Sequence, residues 1–436
     1  MNFLEQLFHS FSENNLRYIV LRNYEELPYS TGGSDLDILI DKKKAIQFLA
    51  LLNKTCDKHN GKIVSLIESS VCPRICVMGN NGVKWGVMID LHLDEITYRG
   101  YTIISNKNIW NNSFKYNNIT ALNSKTDALL GLFKELLNNQ NCKEKYFIDF
   151  KRHALNEVFL DEIFLDINKS QVTQLLLQSL NIDYSEVEIK RLVNGLNKEF
   201  PKKYFYKFNK IYKLKRIFKQ PGYTIAFLGT DGSGKSTIIE NIIPALKDAF
   251  HEAVYYEHMR PNLFPSIARL LGKPGKENGP VTNPHKSPSS GFIGSSFRWG
   301  YYLLDYTFGY FLKVYPKKAI RSCVWIFDRY YYDYIIDPKR SRVKLPYNIL
   351  KFGQLLIPEP DIILCLGTDA KIIHSRKPEL ELVEVERQVK ELKFFCDNHQ
   401  KAVWVDTGKL IQDSSNDALK EILGAMGKRF KDIKLI

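Results

Sequence analysis

Eight residues constrain this chain more than any others: Gly229-Thr230-Asp231-Gly232-Ser233-Gly234-Lys235-Ser236. They follow the apolar run Tyr223–Leu228 and precede a helical pattern from Thr237 to about Phe250. Strand, glycine-rich loop, helix is the setting in which this spacing cradles phosphate. Gly229, Gly232 and Gly234 let the backbone bend tightly and bring its N–H groups to phosphate oxygens. The helix N-terminus behind them adds partial positive charge. Lys235 can reach the β- and γ-phosphates of ATP, and the Ser236 hydroxyl can ligate Mg2+. Ser233 and Thr237 complete the expected nucleotide-binding set.

A chain of 436 residues is too long for one ordinary core, so two or three domains are expected. The net charge of +14 favours phosphorylated or polyanionic partners. Seven scattered cysteines without a CxxC pair read as reduced thiols, and the expected location is cytoplasmic. The N-terminus lacks the basic-then-apolar pattern of a signal peptide. No window of about 18 apolar residues exists, so no transmembrane segment is expected. The nearest case, Tyr301–Leu312, carries Asp305.

Five short apolar runs read as buried parallel strands: Tyr223–Leu228, Ala253–Glu257, Cys323–Phe327, Asp361–Leu366 and Ala402–Val405. With helical stretches between them they predict an α/β fold whose ligands gather at the carboxyl ends of the strands. Those ends carry the glycine loop, His258-Met259-Arg260-Pro261, and Asp328-Arg329-Tyr330. On these motifs and their order, residues 223–436 resemble thymidylate kinases and the wider P-loop nucleoside-monophosphate kinases. The resemblance implies a five-stranded parallel sheet with flanking helices. It implies that Asp328 supports Mg2+, that Arg329 and Arg260 hold the acceptor phosphate, and that Asp231 meets an acceptor hydroxyl. It places Arg376, with Lys377 nearby, where a mobile lid supplies a cation to the transferring phosphoryl group. The family's Asp-Arg pair on the helix before the Asp-Arg-Tyr strand is matched by Leu304-Asp305-Tyr306, without the arginine; Arg298 lies about two turns earlier. The stretch Gly272–Gly300, rich in Gly, Pro, Ser and Lys, reads as a flap over the acceptor or a disordered insertion. Tyr330, Tyr331 and Tyr332 read equally as core packing or as an acceptor platform.

Near the N-terminus, Gly32-Gly33-Ser34-Asp35-Leu36-Asp37 turns into a strand, which puts Asp35 and Asp37 on one face. Paired carboxylates are costly unless something positive lies between them, and a divalent metal is the natural partner. Asp90 ends another apolar run, Val87–Asp90, and completes a three-acid set if the two strands are neighbours. Residues 1–104 on this basis resemble the nucleotidyltransferase superfamily that includes DNA polymerase β. They depart from it in having Arg22-Asn23 near the place of its triphosphate-gripping Gly-Ser. Strand-like patterning fades after Ile104, and 105–200 reads as helical. Pro201–Gln220 carries seven lysines and one arginine among aromatics, without an acid. It reads as the linker of 201–222, or as a surface for anionic membrane or nucleic acid. The combination resembles proteins encoded among bacterial surface-polysaccharide genes.

The expected function is an ATP- and Mg2+-dependent kinase acting on a nucleoside monophosphate or another small phosphorylated acceptor, with a nucleotidyltransferase-like domain before it. The alternatives are a nucleotide-gated regulatory protein that binds nucleic acid or membrane, and a nucleotidyltransferase that modifies RNA. Oligomeric state is left open by the sequence.

Overall fold

The computed structural model describes residues 1–104, 106–153, 169–201, 212, 214–270 and 291–431. Most of the basic stretch 201–220 and residues 271–290 of the expected flap lie outside them. Two large sheets carry the fold.

The first sheet contains β1 (Tyr18–Val20), β2 (Leu36–Ile40), β3 (Gly61–Ile67), β4 (Arg74–Asn81) and β5 (Val83–Leu93). After the small hairpin of β6 (Ile96–Tyr98) and β7 (Tyr101–Ile104), it is completed by β8 (Ser113–Tyr116) and β9 (Ile119–Leu122), in the order β3-β4-β5-β2-β1-β9-β8. Strand structure therefore does not stop at Ile104, as the pattern predicts, but runs to Leu122. The signal lies in Asn117-Asn118, both with positive φ, which turn β8 into β9 as a tight hairpin. Helices Phe3–Glu13 and Ala45–Lys58 pack together beside this sheet. The helical segments Ser124–Phe133, Glu144–Arg152, Lys169–Leu180 and Glu186–Glu199 share a second apolar core with Ile19, Leu21 and Leu39.

The second sheet is fully parallel: β10 (Tyr223–Leu228), β11 (Val254–His258), β12 (Val324–Asp328), β13 (Ile362–Gly367) and β14 (Ala402–Asp406). The five strands match the five apolar runs to within a residue or two at each end. Their order, β11-β12-β10-β13-β14, places β10 at the centre. The chain crosses to one side of β10 and then to the other, which opens a crevice at the carboxyl ends of the strands. This is the five-stranded parallel sheet with flanking helices that the sequence predicts.

The two sheets are not separate bodies strung on a linker. Helices Lys235–Phe250 and Ile411–Arg429 lie between them and belong to one apolar core with residues of both. The first of these buries Ile238, Ile239, Ile242, Leu246 and Phe250. Full burial of such side chains contributes roughly 1.5–3 kcal/mol each. Its contact with β5 is close: a Cβ added to Gly86 would lie 2.3 Å from the Ala245 carbonyl oxygen and 2.7 Å from the Ala249 nitrogen. Buried hydrogen bonds also cross the junction, from Ser65 Oγ to the Pro221 carbonyl and between the Ser65 and Ser322 hydroxyls, each at 2.8 Å.

Candidate functional site

The glycine loop follows β10, and its shape is set by backbone that only glycine takes readily. Gly232 and Gly234 have φ of +85° and +86°. A Cβ on Gly229 would meet Ser233 Oγ at 2.5 Å and the Leu366 carbonyl at 2.6 Å. Lys235 opens the following helix and is buried. Its ammonium donates to the carbonyls of Gly229 and Thr230 at 2.8 and 2.9 Å. Burial, with help from the neighbouring Arg329 charge, pushes its pKa down to about 7 against the pull of Asp231 and Asp328. The hydroxyls of Thr230 and Ser233 are buried without a partner among the described residues, whereas Ser236 and Thr237 are exposed at the helix N-terminus. The loop thus presents donors and a lysine with no anion among its own side chains except Asp231.

Beside it, β12 pairs with β10 so that Asp328 stands opposite Phe227, one step before the loop. Asp328 Oδ2 accepts from the Tyr256 hydroxyl at 2.8 Å and lies 3.8 Å from His258 Nδ1. Its Oδ1 is buried and has no partner among the described residues. Although burial pushes this carboxyl up, His258, Lys235 and Tyr256 hold it well below the usual carboxylate range. An ionised, half-satisfied carboxylate on β12, together with the exposed Ser236 hydroxyl at the start of the helix after the loop, is a donor set of the kind Mg2+ takes.

Arg329 is placed differently from its expected role. It has φ +70° and a buried side chain, which donates to Asp231 at 2.6 Å and pairs with Asp333. Arg340, unremarked in the sequence beyond its basic run, pairs with the other oxygen of Asp231. Burial raises the Asp231 carboxyl, but Arg329, Lys235 and Arg340 together hold it well below its ordinary range. Both oxygens of Asp231 are thus engaged by arginines rather than open to an acceptor hydroxyl.

Arg260 follows β11 and pairs with Asp305, whose carboxylate is fully buried. The other Asp305 oxygen accepts from the Leu263 and Phe264 N–H groups, both at 2.9 Å. Asp305 thereby fixes the whole loop that carries Arg260, and the Arg260 guanidinium lies 4.8 Å from the Tyr302 ring centroid. Tyr306, where the family arginine is missing, is buried and donates to the Met259 carbonyl at 2.7 Å. Arg298 sits on the same helix, Phe292–Gly309, with a buried Nε that has no partner among the described residues. Its charge and that of Arg260 both act on buried Tyr334. The structure therefore brings forward an arginine that spacing alone had set aside. That helix also accounts for residues 292–300 of the expected flap. Tyr330, Tyr331 and Tyr332 are core residues, at 1%, 0% and 0% exposure.

Arg376 ends helix Ala370–Arg376 and donates to the Thr407 carbonyl at 2.9 Å. Lys377 lies beside the loop apex, since a Cβ on Gly232 would be 3.0 Å from its own Cβ. The glycine loop, Asp231, Asp328, Arg329, Arg340 and Lys377 thus form one constellation, joined by these contacts. Arg260 and Arg298 form a second group with Tyr302 and Tyr334.

In the first sheet β2 and β5 are parallel neighbours, with Asp37 opposite Asp90. Ligand oxygens of Asp35, Asp37 and Asp90 lie within 4.8 Å of one another. The positive partner expected between them is nevertheless supplied by side chains. Arg22 donates to Asp37 at 2.5 Å and to Asp35 at 3.2 Å. Arg74 grips Asp90 with two bonds of 2.7 and 2.8 Å, and Lys134 is 3.8 Å from Asp35. His92 faces Asp37 at 3.4 Å, and its pKa is raised to about 10: burial opposes the rise, while Cys72 and Asp37 drive it. Three carboxylates thus face three side-chain cations before His92 is counted. The residues present do not call for a metal here.

No family model matches the chain, and no curated protein does. Among solved structures, a thymidylate kinase from Ehrlichia chaffeensis is 16% identical, covers 46% of this chain and 98% of its own length, and has a TM-score of 0.31. A thymidylate kinase from Candida albicans is 21% identical, covers 46% and 91%, and has a TM-score of 0.32. Among the described residues no helix is long and apolar enough to cross a membrane.

Proposed function

We propose that the second sheet carries an ATP- and Mg2+-dependent phosphotransferase acting on a small phosphorylated acceptor, of which a nucleoside monophosphate is the type. One observation carries the reading. The phosphate loop and the half-satisfied Asp328 carboxylate stand side by side on β10 and β12, and Arg260 follows the next strand, β11. Phosphoryl transfer asks for charge neutralisation and in-line positioning more than covalent chemistry, and this arrangement offers both.

Mg2+ would be held by Ser236 and Asp328, and when bound it neutralises phosphate charge. The remaining work belongs to the chain. The N–H groups of the loop take the phosphates, and Lys235 leaves its backbone carbonyls for a phosphate oxygen, regaining a full charge as it does so. Arg329 anchors Asp231 and, through it, Arg340. Arg340 is the more accessible of the two arginines, with a side chain 16% exposed against 4% for Arg329. It is therefore the cation we assign to the transferring group or the acceptor. We assign Arg260, fixed by Asp305, and Arg298, whose buried Nε has no partner among the described residues, to the acceptor end.

The three acids of the first sheet, Asp35, Asp37 and Asp90, lie together in the manner expected from the resemblance to nucleotidyltransferases. With arginines in the cation positions, we assign this sheet a supporting part rather than a second catalytic one. Transfer of labelled nucleotide to RNA, lost in Asp35→Ala but kept in Lys235→Ala, would overturn that assignment. The kinase reading is tested by ADP release from ATP and Mg2+ across a panel of nucleoside monophosphates and sugar phosphates.

A further inference from the structure

The basic stretch Pro201–Gln220 has seven lysines, one arginine and no acid, and the phosphotransferase reading makes no use of it. Its last part is described: residues 214–218 are helical. Arg216 docks this turn on the body. Its guanidinium donates to the Glu68 carbonyl at 2.9 Å and to the Ile320 carbonyl at 3.4 Å, and the Tyr315 hydroxyl donates to the Ile217 carbonyl at 3.2 Å. With Arg216 turned inward, an apolar strip faces out. Leu214, Ile217 and Phe218, at helical spacings of three and four, are 57%, 44% and 89% exposed. Ile320, brought beside them by the Arg216 bond, is 52% exposed. Lys215, Lys219 and Arg321 border the strip and are exposed. Among the described residues neither lysine has an acidic partner; their ammonium groups lie 5.7 and 5.6 Å from the ring centroids of Tyr212 and Phe430. Glu68 is the neighbouring acid, and its charge acts on the inward Arg216.

We propose that this strip docks on the anionic surface of a lipid bilayer. Leu214, Ile217, Phe218 and Ile320 enter the boundary between headgroups and acyl chains, and Lys215, Lys219 and Arg321 meet the lipid phosphates. An apolar face bordered by lysine and arginine is the composition of a helix that lies in a membrane interface. Charge complementarity points the same way, since the five lysines that precede Leu214 in the stretch add to the same sign. The apolar side chains decide against nucleic acid, which takes cations and stacking rings: three of the four are aliphatic. Charge also decides against a second copy, because a two-fold partner would set Lys215, Lys219 and Arg321 against their own likeness.

The test is co-sedimentation of the full chain with vesicles, which makes no use of ATP or acceptor and so stands or falls apart from the kinase reading. The chain is expected to sediment with equimolar phosphatidylcholine–phosphatidylserine vesicles and to stay in solution with phosphatidylcholine alone. Salt at about 1 M, where the screening length is about 3 Å, is expected to weaken that binding by about tenfold or more. A lysine near an anionic membrane is worth about a factor of five, so Lys215→Gln with Lys219→Gln is expected to weaken it by about 25-fold. Leu214→Gln with Phe218→Gln is expected to weaken it by about tenfold or more. All four side chains are exposed, so the circular-dichroism spectrum is expected to be kept in both pairs. A wild-type chain that does not sediment with the anionic vesicles, or that binds phosphatidylcholine equally well, overturns the proposal. So does vesicle binding that is unchanged in either pair. Retardation of single-stranded RNA that the lysine pair abolishes, without vesicle binding, would overturn it and assign the strip to nucleic acid instead.

Discussion

Gly86→Ala tests whether the two sheets share a core through helix Lys235–Phe250. The new Cβ would sit 2.3 Å from the Ala245 carbonyl oxygen and 2.7 Å from the Ala249 nitrogen. Real Cβ atoms essentially never approach below 3.0 Å, and both neighbours are backbone, so neither can swing aside. The helix must retreat from β5 by roughly 1 Å, as judged from that gap. Overpacking of this kind costs about 1–3 kcal/mol, and the upper end is expected because no side chain can absorb the clash. The same helix begins at Lys235, so its movement also loosens the nucleotide loop about 15–21 Å away along the helix. Gly424→Ala is the control: nothing lies within 4 Å of its added Cβ, and a helical Gly→Ala is worth about 0.5–1 kcal/mol in favour. Urea-unfolding midpoints and ATP affinity by calorimetry read both variants. Gly86→Ala is expected to lower both quantities, and Gly424→Ala to raise the midpoint only. If Gly86→Ala matches wild type in both, the shared core is refuted.

Asp305→Ala leaves Arg260 buried without its partner and frees two backbone N–H groups. A loss of about 3–5 kcal/mol in stability is expected by denaturant titration. For Lys235, burial lowers the folded pKa to about 7, far below its unfolded value, so between those limits the folded chain holds fewer protons. ATP should restore the charge: calorimetry in buffers of different ionisation enthalpy should show close to one proton taken up at pH 8, little below pH 6, and none in Lys235→Met. Equal uptake in the variant would remove Lys235 from the phosphate site. Asp127 is the opposite case, since burial, aided by Glu25, raises its pKa to about 7. The folded chain holds the extra proton, so stability is fully present at acid pH and falls as pH rises through 7. Asp127→Asn is accordingly expected to melt higher than wild type at pH 8, by roughly 2–4 kcal/mol, with no gain at pH 4.

The second sheet was legible because its signals are local. Each strand is a short apolar run, and the loop declares itself by glycine and lysine spacing. The neighbouring of Asp37 and Asp90 was legible only as a condition, since register between strands 50 residues apart is not written in either. What escaped is what depends on tertiary partners. The shared core has a trace in sequence: Ile238, Ile239, Ile242, Leu246, Ala249 and Phe250 cover more than one face of their helix, too wide an arc for a helix packed on a single sheet. The hairpin of β8 and β9 was hidden behind a turn made by two asparagines instead of Asn-Gly. The neutralisation of Asp35, Asp37 and Asp90 by Arg22 and Arg74 was out of reach, because Arg22 precedes its partners by 13 and 15 residues and Arg74 reaches across a strand pair. Likewise, Arg329 and Asp231 each have an expected role toward ligand, but the fold spends them on each other.

The loop of β10 and the carboxylate at the end of β12 are proposed to form one phosphoryl-transfer site. The most direct test is acceptor-dependent ADP release, measured with ATP and Mg2+ on wild type, Lys235→Ala and Asp328→Asn. The account predicts turnover by wild type that one class of phosphorylated acceptor stimulates, with mass spectrometry finding the acceptor heavier by one phosphoryl group. It predicts a fall of about 10²–10³-fold or more in either variant. Turnover that survives Lys235→Ala, or wild type that no nucleoside monophosphate or sugar phosphate stimulates, would contradict it.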